Sequence, residues 1–335
     1  MNIGILGAGT WGIALAALLA NNNHNITVWS ALPAEIDELK STGKHKNLPG
    51  AILPENINYT KDIRLAADTE MLLFVVPSSF IRSTTREIAP YITNGMIIAS
   101  AAKGIEKSTL FTMTDVIDDE LKKCGVTAKY SLAALSGPTH AEEVALGIPT
   151  SIVAACENEE ISMRIADAFS NSCMRAYTNT DLLGVEICGA MKNIIALAAG
   201  INNGMGLGDN SKAMLMTRGI AEIARLGIAM GCNRRTFMGL AGIGDLIVTC
   251  TSRHSRNNRC GELIGKGIPY NEAAKEIGMV VEGYHALEAA MELSKKYDVE
   301  LPITEAVYKI IHNGLSPKEA MLALMVRDLK SELKT

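Results

Sequence analysis

The first twenty-three residues, MNIGILGAGTWGIALAALLANNN, constrain this chain more than any other stretch. From Ile3 to Ala20 no side chain is charged. Such a run suits a signal peptide, a membrane span, or a strand, loop and helix packed inside a domain. A signal peptide opens with positive charge, and here only Met1 and Asn2 precede the run. A membrane helix needs about 20 continuous apolar residues, yet Gly4, Gly7, Gly9 and Gly12 each weaken a helix. These glycines are ordered. Asn2 to Leu6 reads as a short buried strand, and Trp11 to Asn21 as an alanine- and leucine-rich helix. Between them Gly7-Ala8-Gly9-Thr10-Trp11-Gly12 fits G-x-G-x-x-G. The first glycine permits the tight turn, the second lets backbone approach a pyrophosphate, and the third lets helix and strand pack closely. The free N–H groups and positive dipole end of the helix then face an anion. This context predicts dinucleotide binding. A bare glycine turn is the alternative, because the motif alone is a weak signal.

The chain has 335 residues, enough for two domains. Its net charge of −4 and pI near 5.9 argue against broad nucleic-acid binding. An anionic substrate therefore needs a local basic pocket. None of the seven cysteines has C-x-x-C spacing, and the six histidines form no H-E-x-x-H. Free thiols in a reducing cytoplasm are expected, and no metal site.

Strand signals continue at Ile26 to Trp29, Met71 to Val76, Met96 to Ala101 and Tyr130 to Leu135, with weaker ones at Ser151 to Ala155 and Met174 to Tyr177. Helical stretches such as Phe80 to Tyr91 and Leu110 to Lys123 lie between them. Alternation of this kind predicts an α/β fold with a doubly wound, mostly parallel sheet of Rossmann type. Thr42 to Thr60, rich in Gly, Pro, Asn and Lys, reads as a long loop. Beyond about Asp181 the strand signals stop and apolar helical runs take over. The expected division is a dinucleotide-binding domain over 1–183 and an all-helical C-terminal substrate domain over 184–335.

Ligands of open α/β sheets bind beyond the carboxyl ends of strands. Val76-Pro77-Ser78, Ala101-Ala102-Lys103-Gly104 and Ser136-Gly137-Pro138-Thr139-His140 occupy such ends. Lys103 there suits a substrate contact or an ordinary surface lysine equally well. The run from Leu182 to Ala199 is apolar nearly all round, which predicts burial. It nevertheless holds Glu186, Lys192 and Asn193. A lysine is almost never buried without a partner, so Lys192 either snorkels outward or points into an active-site cleft beside an acid. Asp245 is the only acid in TFMGLAGIGDLIVTC, and it needs a cation or donors for the same reason. The two are candidates for one buried pair, unless Asp245 merely caps a helix. SRHSRNNR follows, from Ser252 to Arg259. It reads as a solvated basic face or as a phosphate grip, since Arg with Ser and Asn binds phosphate well.

Together GAGTWG, VPSSFIR, AAKGIE, SGPTHAEEV, GAMKNIIALAAG, GIGDLIVTCTSRHSRN and VVEG run in order along nearly the whole chain. In these stretches the sequence resembles the bacterial-type NAD(P)-dependent glycerol-3-phosphate dehydrogenases. The resemblance implies reversible reduction of dihydroxyacetone phosphate to sn-glycerol 3-phosphate by a cytoplasmic enzyme, a homodimer without a membrane span, that supplies phospholipid synthesis. It implies that Thr10 and Trp11, beside Gly7, Gly9 and Gly12, bind the cofactor. Lys103 matches a substrate-binding lysine that also serves the cofactor site. Gly137 and Thr139 match substrate contacts, and Ala141 a cofactor contact. Lys192 matches the catalytic lysine, with Asn193 beside it helping to fix the substrate. Asp245 matches a substrate-site acid. Ser255, Arg256 and Asn257 match the substrate-binding triplet, with Arg256 also near the cofactor. Val280 and Glu282 match a late cofactor-contacting segment. Other reductases of this architecture, such as β-hydroxyacid and 6-phosphogluconate dehydrogenases, are not expected to carry GDLIVTCTSRHSRN. A cofactor-sensing protein without catalysis has no evident need of Lys192 and Asp245.

One departure concerns the cofactor. After the second strand an acid normally reads a 2′-hydroxyl and an arginine a 2′-phosphate. Here the chain reads Trp29-Ser30-Ala31-Leu32-Pro33, with neither. Both NADH and NADPH are expected to work, with a lean to NADPH because Ser30 can donate to a phosphate and no acid is in view.

Overall fold

The computed structural model describes residues 1–329 and 331–332. The chain forms two compact units. The first contains Met1–Lys103 and Phe111–Leu182, and the second Gly104–Leu110 and the chain from Leu183 onward.

The first unit is built on one eight-stranded sheet. Its strands are β1 (Asn2–Leu6), β2 (Asn25–Trp29), β3 (Ile57–Thr60), β4 (Met71–Phe74), β5 (Ile97–Ser100), β6 (Ser131–Ser136), β7 (Thr150–Ala155) and β8 (Met174–Asn179). The order is β3-β2-β1-β4-β5-β6-β7-β8, with every pair parallel except β6 and β7. Connections reverse direction between β1 and β4, the switch point at which such sheets bind ligands. β4 and β5 are wholly buried, which is why they read as continuous apolar runs. The sheet contains one strand that the sequence reading placed in a loop. Ile57–Thr60 pairs in parallel with β2, although only Ile57 and Thr60 of its four residues are buried. Too short and too polar to announce itself, it is an edge strand whose existence depends on its neighbour.

The second unit is helical, and its axis is the helix Leu182–Gly204. That helix is long and apolar enough to cross a membrane, but 89% of its apolar window is buried inside the structure. It is a core helix. Glycines let a second helix, Arg256–Gly265, lie almost on its backbone. A Cβ at Gly200 would come within 2.0 Å of the Asn258 carbonyl oxygen, and one at Gly261 within 2.1 Å of that of Leu197. Gly283 closes the third side, where a Cβ would meet the Asn193 carbonyl oxygen at 2.5 Å.

The division differs from a single crossing near residue 183. Gly104–Leu110 leaves the sheet unit directly after Lys103. Ile105 is buried in the helical unit's core, and Lys107 pairs there with Glu288 at 2.6 Å. Local sequence could not reveal this, because the excursion is set by distant partners.

Candidate functional site

In the sheet unit the glycine loop joins β1 to the helix Thr10–Asn21. Gly7 has φ +124, a conformation that strains any residue with a Cβ, and a Cβ there would press on Val75 at 2.9 Å. At Gly12 a Cβ would lie 2.0 Å from the Gly7 carbonyl oxygen. At Gly9, by contrast, it would meet nothing within 4 Å. Backbone is thus exposed at the one position where a diphosphate must come close. Gly9 caps the helix without a side-chain bond, and the first turn holds no acid. Its free N–H groups suit an anion. These features fit a dinucleotide, and Thr10 and Trp11 stand half-buried in that first turn.

Lys103 follows β5 at its carboxyl end and is half-buried. Gly137, just past β6, has φ +146, and a Cβ would crowd the backbone of Ser151 and Ile152 at 3.1–3.2 Å. Thr139 folds back on it, both its N–H and its hydroxyl donating to the Gly137 carbonyl oxygen. Ala141 opens the short helix Ala141–Ala145, which packs on the helix of the glycine loop. These residues therefore share the carboxyl-end side of the sheet.

Ser30 differs from its sequence reading. Its hydroxyl donates to Glu35 Oε2 at 2.6 Å and accepts the Leu32 N–H at 3.1 Å. An acid therefore stands at the end of β2 after all. It was missed because it sits in the first turn of the next helix, Pro33–Thr42, rather than on the strand end.

The helical unit holds the buried charges. Lys192 is 6% exposed and Asp245 1%. Lys192 Nζ donates to Asp245 Oδ1 at 2.6 Å and to Thr249 Oγ1 at 2.6 Å. The Thr249 hydroxyl in turn donates to the Asp245 carbonyl oxygen at 2.6 Å. Snorkelling and simple capping are both set aside: Lys192 ends inside the core, and Gly244 rather than Asp245 is the cap of Asp245–Thr251. That helix follows a π-helical turn, Leu240–Gly244. Thr249 lies one turn after Asp245 on the same face, a spacing that was legible although sequence reasoning passed over it. Cys250, buried nearby, has its thiol pushed up to about 12 by burial, so it stays neutral.

A second network links three helices. Asn257 Nδ2 donates to Asn193 Oδ1 at 3.0 Å, and Asn257 Oδ1 accepts the Gly283 N–H at 2.9 Å. Asn193 Nδ2 donates to the Gly189 carbonyl at 3.2 Å. Ser255 is the cap of Arg256–Gly265, accepting the Asn258 N–H at 3.2 Å. Arg256 follows it, exposed, at the helix start. Val280 and Glu282 flank the start of the helix Glu282–Tyr297, whose Gly283 the Asn257 side chain holds. The basic stretch and the late segment are thus hydrogen-bonded to the helix that carries Lys192, through Asn193, the residue next to it.

Comparison with known proteins agrees along the whole length. The family model described as the N-terminus of NAD-dependent glycerol-3-phosphate dehydrogenase matches residues 2–162, and that for the C-terminus matches 181–322. A glycerol-3-phosphate dehydrogenase (NAD(P)+) of Lactobacillus delbrueckii subsp. bulgaricus is 55% identical over 99% of this chain and 98% of its own. One from Fusobacterium nucleatum is 48% identical over 100% of this chain and 99% of its own. The crystal structure of the Coxiella burnetii glycerol-3-phosphate dehydrogenase superposes with a TM-score of 0.91 at 36% identity, covering 97% of this chain and 99% of that one. The chain belongs to the NAD-dependent glycerol-3-phosphate dehydrogenase family of oxidoreductases.

Proposed function

We propose that the protein reduces dihydroxyacetone phosphate to sn-glycerol 3-phosphate with NADH or NADPH, reversibly, and that Lys192 is its general acid. The observation that carries this reading is the buried contact of Lys192 with Asp245 and Thr249. An ammonium in an apolar core is costly unless paired. Asp245 offsets that cost and keeps the group cationic. The nicotinamide, when bound, supplies the hydride. Lys192 donates to the ketone oxygen as negative charge develops on it, and takes the proton back in the reverse direction.

The sheet unit takes the cofactor through Gly7, Gly9, Thr10, Trp11 and Gly12, with Ala141 beside them. Arg256, Val280 and Glu282 complete the cofactor contacts. Lys103 serves cofactor and substrate alike. Asp245 serves the site by holding Lys192, and Gly137, Thr139 and Asn193 fix the substrate. Its phosphate is held by Ser255, Arg256 and Asn257, which form a helix start. There N–H groups and dipole add to the guanidinium. We further propose a cytoplasmic homodimer that supplies glycerophospholipid synthesis, on the strength of the named relatives and the family resemblance.

The test is turnover with dihydroxyacetone phosphate and with unphosphorylated dihydroxyacetone, for the native chain and Arg256→Ala. Losing one partner of a desolvated charge pair costs about 2–5 kcal/mol. Arg256→Ala should therefore lower kcat/KM for the phosphate by roughly 10²-fold or more, and narrow the gap between the two substrates. Equal slowing of both contradicts the phosphate assignment.

A further inference from the structure

The end of β2 is bound into the cofactor loop. The Trp29 carbonyl accepts the Gly7 N–H at 2.8 Å. Ser30, the next residue, is buried and donates its hydroxyl to Glu35. From the other side the segment after Gly43 reaches the same loop. Asn47 Nδ2 donates to Thr10 Oγ1 at 3.2 Å. His45 Nδ1 accepts the Asn47 N–H at 3.2 Å, and its ring bonds the Ala8 backbone within electrostatic reach of Glu35. Three residues that no sequence motif joins thus meet here: His45 and Asn47 reach the glycine loop, and Glu35 holds the strand end beside it.

We propose that Glu35 reads the adenosine ribose and makes this chain select NADH over NADPH. This deepens the cofactor reading above and rests on it. A half-buried carboxylate at this strand end accepts from a ribose 2′-hydroxyl, whereas a 2′-phosphate brings like charge against it. The Ser30 hydroxyl cannot serve that phosphate without giving up its bond to Glu35. Burial also pulls His45 below the usual histidine range, more than Glu35 raises it, so at neutral pH the ring adds no compensating charge. The loop's cations, Lys44 and Lys46, are solvent-exposed, and Glu38 adds a further negative charge near His45.

Calorimetric titration of the full chain with NADH and with NADPH tests the assignment apart from turnover. The native protein should bind NADH between about 10- and 100-fold more tightly, the scale of one like-charge contact. Glu35→Gln keeps size and the Ser30 contact, and should tighten NADPH by roughly 10-fold while weakening NADH a few-fold. Lys46→Ala should leave the ratio unchanged. Native preference for NADPH overturns the inference, as does an unchanged ratio in Glu35→Gln. Loss of NADPH binding in Lys46→Ala with no effect of Glu35→Gln would assign the reading to Lys46. If neither nucleotide binds the native chain, the cofactor reading itself fails.

Discussion

Asp245 and Glu222 are the most deeply buried carboxylates described in the helical unit, at 1% and 0% exposed, and they are held in opposite ways. Asp245 faces a lysine at 2.6 Å. Glu222 faces the start of a helix, Pro302–Asn313. It accepts the N–H of Ile303 at 2.8 Å, the N–H of Thr304 at 2.9 Å and the Thr304 hydroxyl at 2.6 Å. Its negative charge lies at the positive end of that helix and satisfies two backbone donors that otherwise have no partner. Burial alone therefore does not mark a reactive acid. The partner decides: in the proposed mechanism a lysine that can trade a proton makes a reaction centre, whereas a row of fixed N–H groups makes a clamp.

The largest effect that separates the two belongs to Lys192→Met. Volume is conserved, but Asp245 is left buried without its ammonium, so stability should fall by about 3–5 kcal/mol, and turnover and cofactor binding are read on the folded protein. Turnover should fall by about 10²-fold or more, the scale of one acid–base contact. Near-normal turnover removes the contrast between the two acids.

Glu222→Ala should show the reverse pattern. It leaves two N–H groups and a hydroxyl without their acceptor, a loss of roughly 3 kcal/mol in urea unfolding. The folded fraction should keep its kcat. A specific loss of kcat in folded protein would give Glu222 a part in the chemistry.

The smallest effect is a pH slope. Burial raises the Glu222 pKa in the folded protein, more than its three hydrogen bonds lower it. A raised folded pKa means that the folded state binds the proton more tightly. The resulting stabilisation is present below the unfolded value, near 4.5, and is lost as pH rises through the folded value. Glu222→Gln cannot titrate. Its stability relative to the native chain should therefore rise from pH 4.5 upward, as chemical denaturation at a series of pH values would show. A flat difference would mean that the N–H groups fully offset burial.

The same contrast separates what is legible in the amino-acid sequence from what is not. Lys192 and Asp245 stand alone in apolar surroundings, so each demands a partner, and the demand is visible in a one-dimensional string. Glu222 lies in Asp209–Ala229, a helix that also carries Lys212, Arg218 and Arg225, where one more charge is unremarked. Its donors come from 81 and 82 residues away. Glu35 was hidden in a similar manner, on a helix of ordinary polar composition. The strand Ile57–Thr60 and the excursion Gly104–Leu110 share that cause, since pairing and packing with distant segments define them. Glycine was informative where its role is steric. The first loop could be read directly, whereas the Gly200 and Gly261 contacts needed both helices in place.

In the proposed mechanism Lys192 and Asp245, 53 residues apart in sequence, act as one unit. A double-mutant cycle on kcat, with Lys192→Met, Asp245→Asn and both together, tests it most directly. With the lysine gone, the acid has no ammonium left to hold. The double variant should then be no slower than Lys192→Met alone, to within about 3-fold. Losses that multiply across the two sites would show that Asp245 acts independently, and would contradict the claim.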